Sequence, residues 1–248
     1  MSDFNRGYAR TVAADRADMS VDAGLRSFML GVYNKMALGL VVSAALAFLT
    51  SQYPPVRDLM FQVNGNRIGY TLLGMVVAFS PLAVLLFGAF AMRNVTPRSS
   101  GIMYWLIVSL IGAGLGVLGL VYTGTSIATT FLITASAFGV LSLIGYTTKR
   151  DLTGFGSFLI MGLWGVIIAS VVNMFLHSGP MALLISVIGV GVFAGLTAYD
   201  TQKLKLQYYQ LGGDQAALGV ATNFGALNLY LDFINLFQLL LSLMGSRR

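Results

Sequence analysis

Apolar runs of bilayer length alternate with short polar breaks along the 248 residues. A helix needs about 20 apolar residues, at 1.5 Å each, to cross the hydrocarbon core. Seven runs meet that length, at 36–53, 69–92, 101–122, 126–147, 155–176, 181–200 and 224–243. The breaks carry turn chemistry: Tyr53-Pro54-Pro55, Thr96-Pro97-Arg98, Thr123-Gly124-Thr125, Lys149-Arg150-Asp151 and Ser178-Gly179-Pro180. Two connections are longer, 54–68 and 201–223, and neither is large enough for a second domain. The pattern predicts an all-α polytopic membrane protein with seven transmembrane helices. Residues 1–27 mix charges and lack an apolar core with a small-residue cleavage site, so they do not read as a secretory signal. Val21, Leu25, Phe28 and Val32 recur opposite Asp22 and Arg26, the spacing of an interfacial helix. The predicted organisation is a cytosolic tail and interfacial helix over 1–35, then a transmembrane domain over 36–248.

Composition sharpens the membrane reading. The chain is 56% hydrophobic and 10% charged, with mean hydropathy +0.79. Soluble domains carry roughly 25% charged residues; this chain lacks the polar surface to face water. Cysteine is absent, which excludes disulfides and thiolate metal sites. The single histidine, His177, excludes a multi-histidine cluster and falls in a turn.

The charge of +6 follows from membrane orientation. With the N-terminus inside, the tail holds Arg6, Arg10, Arg16, Arg26 and Lys35. The inside loops add Arg93, Arg98, Lys149, Arg150, Lys203 and Lys205, while Arg57, Arg67, Arg247 and Arg248 fall outside. Basic residues concentrate in cytoplasmic loops, so the expected orientation is N-inside and C-outside. Nucleic acid is not an expected partner. Gly112 and Gly116, and Gly191 and Gly195, are spaced four apart and favour close helix packing within the chain. Pro81 falls inside the second run, where a kink is expected.

Two carboxylates interrupt this apolar pattern. Asp232 sits in the last run, in LNLYLDFINLF, and Asp200 closes the sixth, in GLTAYDTQK. A charge at the bilayer centre costs about 2.5–3.5 kcal/mol on insertion scales, so such residues face a protein interior or a wet cavity. Asn228 lies four residues before Asp232 and Asn235 three after, which puts all three on one helix face. That stripe is expected to point inward. Under the N-inside orientation Asp200, Asp232 and Arg93, in FAMRN, all fall in the cytoplasmic half. Two acids within a few ångströms of each other titrate as a unit and compete for one proton. With Arg93 beside them the site would carry −1, or 0 with that proton. Calcium takes six to eight oxygens. The two acids supply at most four, and Asn228 and Asn235 add two, so a calcium site at Asp200 and Asp232 would be weak, as conduction requires.

NLYLDFINLF on the last run, AYDTQK on the sixth and AMR on the second resemble the Bax inhibitor-1 family, and the likeness extends over nearly all the chain after the tail. The resemblance implies six helices around a central seventh. It implies a pH-sensitive calcium leak with Asp200 and Asp232 as the sensing pair and Arg93 as basic partner. It also implies a multi-pass protein of a bacterial inner membrane, and for some members a membrane protease as partner. Eukaryotic members are associated with suppressing cell death. A regulatory membrane protein that binds such a partner is the alternative reading. No cofactor is expected beyond calcium as a permeant or weakly held ion, and no enzymatic activity. Intramembrane aspartyl proteases place Gly-x-Gly before the second acid, where this chain has Leu229-Tyr230-Leu231, and a retinal protein needs a lysine in the last run, which has none.

Overall fold

The structure is a computed structural model and describes residues 23–64, 67–91 and 95–248. Its helices are α1 (Ala23–Gln52), α2 (Pro54–Met60), α3 (Leu72–Ala91), α4 (Pro97–Gly114), α5 (Gly116–Val121), α6 (Gly124–Thr147), α7 (Thr153–Leu176), α8 (Gly179–Gln210) and α9 (Gln215–Met244). A hairpin of β1 (Phe61–Asn64) and β2 (Arg67–Tyr70) sits between α2 and α3, with Phe61 opposite Tyr70. Among the described residues six helices are long and apolar enough to cross a membrane: α1, α4 with α5, α6, α7, α8 and α9. The second predicted run, at 69–92, is α3, whose apolar stretch is shorter, at Leu72–Gly88.

Local chemistry sets the helix starts. Thr96 and Ser99 form a capping box ahead of α4, with Pro97 in its first turn. Thr123 accepts from Ser126 N ahead of α6, and Ser178 from Met181 N ahead of α8. Helix α3 continues through Pro81. The ring removes the N–H that would reach the carbonyl four residues back, and the Ser80 hydroxyl donates to that Val77 carbonyl instead at 2.7 Å. His177 ends α7 in the left-handed region, at φ 51. Ahead of α7, Asp151 accepts from the N–H and hydroxyl of Thr153. The Thr153 side chain first, then its backbone N–H, hold the Asp151 carboxyl below the usual carboxylate range.

Two predicted boundaries move. Helix α1 starts well before residue 36 and is unbroken through Lys35. Leu25, Phe28 and Val32 are buried in the protein core, with the Phe28 ring 5.5 Å from that of Tyr208. An amphipathic stripe has the same spacing whether it meets lipid headgroups or another helix. The second shift is larger. The predicted connection 201–223 is helical except at its centre, because α8 runs on to Gln210 and α9 starts at Gln215. Hydropathy loses sight of a helix that leaves the hydrocarbon, but Leu, Gln and Lys remain good helix formers. The turn itself is Leu211-Gly212-Gly213-Asp214: both glycines have positive φ, at 57° and 89°, and Asp214 caps α9 through Ala216 N and Ala217 N.

Helix α9 is the most enclosed of the six long helices. It packs against α1, α4, α6 and α8, whereas α3 packs on α4 and α7 on α8. Four helices therefore form its main wall. Tyr230 joins the wall through its hydroxyl, 2.6 Å from Ser43 Oγ, and Ser43 donates to Val108 O. Gly112 and Gly116 face α1 so closely that an added Cβ would come within 2.6 Å of Ser43 Cα or 2.1 Å of Thr50 Oγ1. Gly195 meets Leu159 in the same way, while Gly191 faces open space.

The bundle has two ends. Tyr70 donates to Gly114 O, and Tyr122 pairs with Arg247, at what we term the far end. Lys35 Nζ donates to Asn223 Oδ1 at the near end, where Asn223 also donates to Pro97 O and Ser100 Oγ, both at 2.8 Å. Gln202 reaches the connection between α6 and α7 there, donating to Arg150 O and accepting from Leu152 N. Asn223 is 5% exposed and clamps α1, α4 and α9. Asn223→Ala strands several polar groups and is expected to cost about 1–3 kcal/mol. A thermal midpoint in detergent equal to wild type would show that the clamp contributes nothing.

Candidate functional site

Two contacts set the register between α8 and α9. Ser186 Oγ and Ser242 Oγ lie 2.7 Å apart. Leu204 lies against Gly225, where an added Cβ would come within 2.4 Å of the leucine Cδ2. Asp200 is one turn before Leu204, so it falls level with Asn228 and Leu229, and Asp232 lies about one turn deeper. Side-chain reach closes that turn, and the two carboxyls come close enough to act on each other's charge. A hydrogen bond between two carboxyls needs a proton on one of them.

Asp232 is 6% exposed, among Leu229, Phe233 and Leu236, which are buried as well. Its Oδ2 finds no N–H or O–H donor among the described residues. Asp200 is half-buried and, with Lys203, Gln207 and Asn228, lines a cavity of about 270 Å³ toward the near end. Lys203 is close enough to act on the Asp200 charge, and its Nζ stands 6.0 Å from the centre of the Tyr199 ring. On the same face of α9, Asn235 and Gln238 line a separate cavity of about 210 Å³ with Tyr70 and Ala78. Tyr70 is outside the spans, and burial pushes its phenol above its ordinary value, so it remains a neutral donor.

The structure thus brings Asp200 and Asp232 together. The polar stripe of α9 is not uniformly inward: Asp232 is buried, Asn235 is half-buried with its amide donating to Leu231 O, and Asn228 is exposed at the mouth of the near cavity. The reason is depth, since each residue faces the same side but Asn228 lies where the helices part. Arg93 lies outside the described residues. Asp200 does not close its helix but lies about three turns before the end of α8. For the same reason Lys203 and Gln207, one and two turns on, belong to the site. Their spacing of three and seven from Asp200 was legible, but only to a reading that continued the helix past residue 200. Among the described residues no third acidic side chain and no histidine joins the pair. Any cation held there would need amide oxygens, backbone carbonyls or water to complete its shell.

These features define a multi-pass helical membrane protein with a carboxyl pair, Asp232 buried and Asp200 half-buried, at a polar cavity. Residues 25–248 match the family model described as inhibitor of apoptosis-promoting Bax1. A protein of Caulobacter vibrioides is 65% identical over 249 residues, covering 100% of both chains. A protein of Rickettsia prowazekii is 43% identical over 241 residues, covering 97% of this chain and 98% of its own. The inner membrane protein YbhL of Escherichia coli K12 is 42% identical over 227 residues, covering 91% and 94%. The chain belongs to the Bax inhibitor-1 family.

Proposed function

We propose that this protein is a pH-sensitive calcium leak of a bacterial inner membrane, gated by Asp200 and Asp232, and not an enzyme. One observation carries the reading: two acids from neighbouring helices meet inside the bundle, one of them almost wholly buried, at the inner end of a polar cavity. A pair that holds one proton between its carboxyls carries only −1, a weak site for a divalent cation. Loss of that proton adds a charge of −1 where Asn228 and Gln207 offer further oxygens. Lys203 stands as an internal competitor for Asp200, a role the resemblance gives to Arg93. Asn235, Gln238 and Tyr70 then supply the next polar cavity toward the far end. The two cavities are separate, which fits a closed state.

The orientation belongs to the same proposal. Lys35, Arg98 and Arg150 lie on near-end segments, Arg57 and Arg247 on far-end ones, as the positive-inside rule predicts for a cytoplasmic near end. Helix α3 runs between the far-end hairpin and the near-end start of α4, as a seventh crossing requires. An inner-membrane location rests on the printed name of YbhL and on the bacterial relatives. The test is calcium entry into liposomes that contain only this protein, followed against pH. A calcium flux that changes with pH is expected. No flux at any pH would pass the reading to a regulatory membrane protein that acts through a partner.

A further inference from the structure

Helices α1 and α6 both seat on α9 but make no extended contact with each other. Between them lies a cavity of about 330 Å³. Ala44, Ala47, Gly119 and Gly124 keep its walls low, and Phe233 and Phe237 form its floor. It runs along α1 from Leu40 to Gln52, about 18 Å at 1.5 Å per residue. Half of a 30 Å hydrocarbon core is about 15 Å, so the cavity is as deep as one leaflet. It stops at Leu40 and Phe233, which also line a second cavity toward the near end.

Its mouth has a different chemistry. Arg248 lines the far-end opening, and the Arg247 guanidinium stands 6.0 Å over the Tyr122 ring beside it. The tail is held there by backbone bonds, from Thr123 N to Ser246 O and from Arg248 N to Val121 O. Among the described residues no acidic side chain lines the cavity. An apolar slot one leaflet deep, with a guanidinium fixed at its rim, is complementary to a molecule with one long alkyl chain inside and an anionic group at the surface.

We propose that this slot is a binding site for an anionic phospholipid of the far-end leaflet, with one acyl chain between α1 and α6 and the phosphate at Arg248 and Arg247. This site is distinct from the carboxyl pair and does not depend on the leak reading. Its physical consequence is on packing: the chain fills the space that α1 and α6 leave open, over the aromatic floor of α9.

The test uses the full chain, purified in mild detergent and stripped of lipid. Phosphatidylglycerol and phosphatidylcholine are added separately, and binding is read by native mass spectrometry and by the thermal midpoint. The expected result is retention of phosphatidylglycerol at a single site, with a raised midpoint, and much weaker retention of phosphatidylcholine. Ala44 is exposed, so Ala44→Trp fills the slot without a clash in the core and is expected to lose the bound lipid. The double change Arg247→Gln with Arg248→Gln is expected to erase the preference for phosphatidylglycerol. Equal retention of the two lipids by wild type, or undiminished phosphatidylglycerol binding in Ala44→Trp, would overturn the proposal. If Ala44→Trp does not fold, the wild-type comparison and the arginine variant still decide it.

Discussion

Asp232→Asn is expected to remove the pH dependence of calcium flux and to lower the flux itself by tenfold to a hundredfold. The substitution keeps side-chain size and shape, so the packing of Leu229, Phe233 and Leu236 around it is undisturbed. What it removes is the second negative charge that the pair can carry. A hydrogen bond to a charged group contributes about 1.5–3 kcal/mol, which corresponds to a factor of about ten to a hundred. The sign follows from counting charge. Low pH leaves a proton on the pair and weakens cation binding; high pH removes it and strengthens binding. Asp200→Asn is expected to flatten the same response, because in the proposed gate the two acids share one proton. It should leave more residual flux, since Asp200 is half-buried at the cavity wall while Asp232 is the deeper acid. The measurement is dye-reported calcium entry into liposomes, with the two variants beside wild type. Wild-type flux and pH response in Asp232→Asn would remove the pair from the mechanism.

Gly145→Ala is expected to be among the most damaging single-methyl changes in the bundle. A Cβ at that position would come within 2.1 Å of the Ala198 carbonyl oxygen and 2.8 Å of its carbon. Both are backbone atoms of α8, so no side chain can turn aside. Helices α6 and α8 would have to separate, and Asp200 lies two residues beyond Ala198 on the displaced strip. Overpacking typically costs about 1–3 kcal/mol and more where backbone must move; the upper part of that range applies here. Gly139 on the same helix is the control, because a Cβ there meets nothing within 4 Å. Gly139→Ala should be neutral or gain up to about 1 kcal/mol from helix propensity. Thermal midpoints of the two variants in detergent separate steric contact from any general effect of losing glycine. Equal midpoints would show that α6 and α8 are not held this close.

Lipid solvation made most of this architecture readable in one dimension. Bilayer-length runs, turn residues and basic loops are local properties, and they located the long helices within a few residues at most ends. The same locality explains where the reading went astray. The GGD turn at 212–214 was visible, but the polar residues between Thr201 and Gln210 concealed the continuation of α8 from a hydropathy scale. The stripe of Leu25, Phe28 and Val32 was visible, but not whether lipid or protein would cover it.

The amino-acid sequence alone determined that Asp200 and Asp232 lie on neighbouring apolar segments, and that Asn228 and Asn235 share a face with Asp232. Only the tertiary structure decided that the acids meet, because contact between helices depends on register and separation, set here by Leu204 against Gly225 and Ser186 against Ser242. Only the structure could place Lys203 beside the pair, expose Asn228, and leave the slot between α1 and α6 open. Those outcomes depend on which small residues face one another across a gap, and periodicity along a single helix carries no record of its neighbour.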